Sequence, residues 1–139
     1  SMDVLWNPQN PIYIGDKVPV RVHCKVNGDF ESMRLRMEAF ASDNAVAGTM
    51  FLDKLRCAKR GDRLTVNMEI DTAHMAPGNY RLNLLAFEQN YFGIQDWCDR
   101  VEGAPIIEIV KKNDGDLDWL PQWWGHTQFH DIKLKSVER

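Results

Sequence analysis

Three tryptophans fall within six residues, Trp119, Trp123 and Trp124, and a second aromatic group, Tyr91, Phe92 and Trp97, lies some thirty residues earlier. A flat aromatic face stacks on the C–H face of a sugar ring, while neighbouring amides, carboxylates and imidazoles bind the ring hydroxyls. Such partners are at hand in Gln89, Asn90, Gln95, Asp96, Gln122 and His126. The candidate carbohydrate-binding set is therefore Tyr91, Phe92, Gln95, Trp97, Trp123, Trp124 and His126. The competing reading puts the same aromatics in the core or in a subunit interface, where Trp and Tyr are also enriched.

Other chemistries find less support. His126 and His130 are four apart, a metal-ligand spacing on a helix, but the glutamate of an HExxH motif is absent. On a strand the same spacing separates the residues by about 13 Å, too far for one ion. Asp114, Asp116 and Asp118 alternate around Gly115 like the first half of a calcium loop. The position that should carry the bidentate acid is Gly125, so a solvated acidic linker is the expectation. No Gly-x-Ser-x-Gly, phosphate-cradling loop or dinucleotide fingerprint occurs, and the cysteines have no evident histidine partner. Two of the 20 acids could still form a glycosidase pair, but no motif marks one. The expectation is a domain without catalytic residues, metal or cofactor.

The elements that would carry these residues have period two. Val18, Val20, Val22, Cys24 and Val26 share one face of the run from 17 to 26, with Lys17, Arg21, His23 and Lys25 on the other. Successive side chains of a strand point to opposite faces, so this reads as a strand with one wet side. Pro19 cannot donate to a ladder and favours an edge or the start of pairing. The alternation returns in Met33–Leu35–Met37–Ala39, Leu64–Val66–Met68–Ile70, Tyr80–Leu82–Leu84–Ala86 and, briefly, Ile107–Ile109. Turn signals separate the runs at 27–29, 42–44, 60–62 and 77–79. Helical periodicity is weak throughout. The polar stretch 111–118 (KKNDGDLD) reads as hinge-like, and 128–135 as a last strand. Short strands at this spacing indicate an antiparallel sandwich or barrel, and an all-β antiparallel β-sandwich is the expectation.

Composition sets the outer limits. The chain has 139 residues, 44% hydrophobic and 27% charged, enough for one packed domain. Its net charge of −3 and lack of a Lys/Arg run argue against nucleic acid as a partner. No apolar run reaches the roughly 18 residues of a membrane span. Three cysteines without CxxC spacing fit a reducing compartment, with Cys24 a buried thiol. The opening Ser1-Met2 reads as a cloning remnant, so a piece of a longer protein is expected.

The order of several segments resembles one family. A glycine-bounded strand, Ile14-Gly15-Asp16-Lys17-Val18-Pro19-Val20, is followed by Ala39-Phe40-Ala41-Ser42-Asp43-Asn44-Ala45-Val46-Ala47-Gly48-Thr49. Then come Met75-Ala76-Pro77-Gly78-Asn79-Tyr80-Arg81-Leu82, similar to L-x-P-G-x-Y-x-L, and Asp99 to Ile109, similar to D-x-V-x-x-A-x-x-F-x-V. Ile107 stands in place of the Phe, and the Trp-rich 119–124 stretch is outside the pattern. Together these segments, over roughly 12–135, resemble the C-terminal domain of the ATP-binding subunits of O-antigen-type polysaccharide ABC transporters.

The resemblance implies an immunoglobulin-like antiparallel β-sandwich that binds the exported polysaccharide or its terminal sugars without catalysis. It also implies a homodimer formed by exchange of C-terminal strands, with 131–134 the natural candidate here. An ATPase domain would lie upstream, a membrane subunit would be the partner, and the location would be cytoplasmic at the inner membrane of a bacterium. The expected division is a leading segment 1–11, the sandwich 12–135 with its hinge at 111–118, and a tail 136–139. Two rivals remain: a structural or protein-interaction sandwich whose tryptophans form a dimer or partner interface, and a sugar-active enzyme or its accessory domain.

Overall fold

The structure is a computed structural model that describes residues 2–4, 11–29, 33–52, 59–89, 95–101 and 106–138, with backbone alone for 2–4, 89 and 95–101. The alternating runs become strands. Among the described residues these are β1 (Met2–Val4), β2 (Ile12–Tyr13), β3 (Lys17–Lys25), β4 (Met33–Ala41), β5 (Val46–Phe51), β6 (Arg63–Asp71), β7 (Gly78–Gln89), β8 (Gln95–Val101) and β9 (Ile106–Val110). One short helix, α1 (Pro121–Trp124), follows.

Two sheets form. One has the order β1-β3-β6, the other β2-β9-β7-β4-β5, with β8 also paired to β7. Pairing is antiparallel except for β2 with β9. The long β7 serves two partners on one edge: residues 78–81 pair with β9 and 84–89 with β8. Pro19 faces Glu69 of β6, while β1 on the other side pairs only with Val22, His23 and Cys24. The missing N–H of Pro19 therefore breaks no described ladder.

Inward residues of both sheets meet in one core. Val20, Val22 and Cys24 of β3 face Leu35 and Met37 of β4, Leu82 and Leu84 of β7, and Ile107 and Ile109 of β9, all buried. Each such aliphatic side chain contributes about 1.5–3 kcal/mol of transfer free energy, which is why the alternation was readable. The outer face of β7 departs from a one-sided pattern, because Asn83, Leu85 and Phe87 are buried there as well. Phe87 lies under the guanidinium groups of Arg34 (5.9 Å) and Arg36 (5.8 Å) and meets Phe51 edge-on at 6.3 Å.

Two stretches differ from the alternation-based reading. Residues 2–4, ahead of the expected domain start, form β1 on the smaller sheet. The last strand expected at 128–135 is not a strand: the one isolated bridge nearby among the described residues, Met75 with Thr127, falls just before it. Ile132, Leu134 and Val137 stay exposed, and alternation without a neighbour to pair with does not make a strand.

Candidate functional site

A buried tyrosine builds the anchor for the C-terminal segment. Tyr80, at the start of β7 and 2% exposed, donates its hydroxyl to the Ala76 carbonyl at 2.5 Å and lies 3.4 Å from that of His126. A strand-opening tyrosine that pins the backbone just upstream is a recurrent device of sandwiches. Burial pushes the phenol up to about 12. Around it the segment docks by backbone: Ala76 N–H donates to His126 C=O (3.1 Å) and Gln128 N–H to His74 C=O (3.0 Å). The His126 imidazole reaches toward Asp43, Nε2 to Oδ2 3.7 Å. The Ala45 N–H, and after it the His126 charge, hold the Asp43 carboxyl below its usual value.

Between β9 and this anchor the chain closes two small loops. In the first, the Lys111 ammonium donates to the Asp114 carbonyl (3.1 Å), the Asp116 carbonyl (3.4 Å) and Asp118 Oδ1 (2.9 Å). Asn113 N–H donates to Asp116 Oδ2 at 2.9 Å. The acidic stretch that resembled half a calcium loop thus encircles a lysine of its own chain. The Asp118 hydrogen bond raises the Lys111 pKa.

The second loop carries the tryptophans. Pro121 opens α1 at a position where its fixed φ suits the first helical turn. Gly125, at φ 76°, ends it in a conformation that favours glycine. Trp119 Nε1 donates to the Gly125 carbonyl at 2.7 Å, and the Trp119 and Trp124 rings meet edge-to-face at 5.4 Å.

These loops wall a groove of about 470 Å³ beside the ends of β2 and β9. Its apolar surfaces come from Ile14, Leu117, Trp119, Trp124 and Phe129, and its polar ones from Lys111, Asp116, Thr127, Gln128 and Asp131. Half-exposed indoles beside carboxylates, an amide and a hydroxyl can stack a sugar ring and bind its hydroxyls. A cavity of about 190 Å³ between the sheets, lined by Met37, Met50, Met68 and Ile70 among others, is mostly apolar and offers no comparable set.

The expected site residues are divided by the fold. Trp124 lines the groove; Trp123, one residue away, is 78% exposed and is not part of its wall. His126 borders a separate cleft of about 260 Å³ with Ser42, Asp43, Asn79 and Gln122. Tyr91 and Phe92 lie outside the described residues. Gln95 and Trp97 sit on β8, opposite Gln89 and Phe87. From Tyr80 to Phe87 is seven residues of β7, about 23 Å, so β8 and the Trp groove belong to opposite ends of that strand. Sequence reasoning left out Trp119, Lys111, Asp116, Phe129 and Asp131, whose proximity depends on the Lys111 and Gly125 closures.

Fold and groove together define an all-β sandwich domain with a groove near one end lined by indoles and polar side chains. No family model matches the chain, and no curated protein does. Among the solved structures that match is one titled "Crystal structure of the C-terminal domain of wzt". The likeness covers 90% of this chain and 73% of that one, at a TM-score of 0.68 and 13% identity. At that identity it shows a shared fold.

Proposed function

We propose that this chain is a noncatalytic glycan-recognition domain of the ATP-binding subunit of a bacterial polysaccharide-exporting ABC transporter. The observation that carries the reading is the fold shared with the C-terminal domain of wzt over 90% of the chain. It agrees with the family resemblance of the segments from Ile14 to Ile109. The Trp119–Trp124 groove supplies a place for the sugar. Among the described residues no helix is long and apolar enough to cross a membrane, and attachment would run through an ATPase domain and a membrane subunit on the cytoplasmic side.

The domain would act by selection, holding a finished chain near the transporter while hydrolysis takes place elsewhere. A single shallow groove binds weakly, and two copies in a homodimer would strengthen retention of one polymer. The exposed segment with Ile132 (99% exposed), Leu134 and Val137 is the candidate for the exchanged element.

The test is tryptophan fluorescence titrated with a panel of bacterial polysaccharides and their terminal oligosaccharides. A saturable shift with one related set is expected, weakened roughly two- to twelvefold in a folded Trp124→Ala variant, the factor that about 0.5–1.5 kcal/mol for one aromatic contact gives. The second reading, a protein-interaction sandwich, draws on the same exposed apolar segment. It predicts no response to any glycan and a self-association constant that changes when Ile132 and Leu134 are replaced by Ser.

A further inference from the structure

The walls of the Trp groove have a charge pattern with consequences for the kind of sugar it accepts. Lys111 is the one cation among the described wall residues, and its ammonium is already engaged by Asp118 and two backbone carbonyls. Asp116 and Asp131 both line the groove; Asp116 receives one backbone hydrogen bond through Oδ2. Among the charged side chains of the wall itself, two carboxylates, Asp116 and Asp131, stand against the one Lys111 ammonium, which Asp118 already neutralises.

From this we infer that the groove selects uncharged or amino-bearing sugar rings and rejects acidic ones, a specificity that rests on the glycan-binding reading above. A carboxylate accepts two hydrogen bonds at once, the geometry of a vicinal diol, and charge-assisted bonds of this kind are the stronger ones. A uronic acid or another anionic ring on the same indole platform meets two carboxylates with no unengaged cation in the wall to offset them. An ammonium substituent gains from both carboxylates and from the indole faces, which attract cations. The exclusion of acidic rings is long-range and weakens with salt, whereas hydrogen bonding and stacking of a neutral ring do not.

The experiment titrates the full chain with maltohexaose, a chitosan hexamer and hexagalacturonate at 20 mM and 300 mM salt, following indole fluorescence and calorimetry. The chitosan hexamer is expected to bind most tightly at low salt and maltohexaose about equally at both salts. Hexagalacturonate is expected at least tenfold weaker than maltohexaose at 20 mM, with the gap narrowing at 300 mM. In an Asp116→Asn/Asp131→Asn variant that keeps the wild-type unfolding midpoint, the acidic hexamer should gain at least fivefold relative to the neutral one. Hexagalacturonate binding as tightly as maltohexaose at low salt, or no relative gain in the double variant, overturns the specificity and leaves the glycan-binding reading standing. Failure of these probes and of a wider polysaccharide panel to bind overturns both.

Discussion

Replacing Tyr80 by Phe tests the anchor that holds the Trp loops to the sandwich. The phenol is 2% exposed and its hydroxyl satisfies the Ala76 carbonyl with a second contact to His126. Deleting a buried donor and leaving its acceptor unpaired costs about 1–2 kcal/mol, which at this chain length lowers the unfolding midpoint by roughly 3–8 °C.

The pH dependence carries the sharper signal. Burial raises the Tyr80 pKa from 10.0 to about 12. The unfolded chain therefore loses this proton first as pH rises, and the stabilisation is whole below pH 10 and lost between 10 and 12. At pH 11 the wild type has given up about 1.4 kcal/mol that the Phe variant never had. The deficit of the variant seen at pH 8 should accordingly shrink to near zero at pH 11. Urea unfolding of both proteins, followed by far-UV circular dichroism at the two pH values, measures it. A deficit that stays constant across this range, or that is absent at pH 8, refutes the reasoning.

Other substitutions probe separate parts of the account. Leu84→Ala, at a core position 1% exposed, should cost about 2–5 kcal/mol by denaturant unfolding. Gly125→Ala has room for its methyl group but must adopt φ 76°, so about 1–3 kcal/mol of strain is expected, with loss of tryptophan signal in near-UV circular dichroism. Lys111→Met removes the cation from the 111–118 loop; the global unfolding midpoint should barely move, while glycan affinity and the near-UV tryptophan signal fall together.

Much of the fold was legible because burial is one-sided where it matters. In β3, β4 and β6 the buried and more exposed positions alternate residue by residue. The edge strand β5 is exposed along most of its length and carries no such pattern. The short β8 pairs with β7 across a register shift between Ala86 and Phe87, which no local spacing encodes. Leu85 and Phe87 read as outward residues yet are buried, since Arg34, Arg36 and Phe51 contribute to covering the outer sheet face. At the candidate site, aromatic type was the readable signal and proximity was not. Trp124 and Trp119 meet because Gly125 turns the chain and its carbonyl accepts the indole N–H. Adjacent Trp123, about 100° further round the helical turn from Trp124, stays 78% exposed and outside the groove wall.

The most direct test of glycan recognition in the groove is to observe the five tryptophan indoles individually by ¹⁵N–¹H correlation spectroscopy during titration with the best-binding oligosaccharide. Assignment would come from single Trp→Phe variants. The account predicts saturable shifts of the Trp119 and Trp124 indole resonances with one common dissociation constant, and little change at Trp97. Shifts confined to Trp97, or five unmoved indoles at saturating glycan, would contradict it.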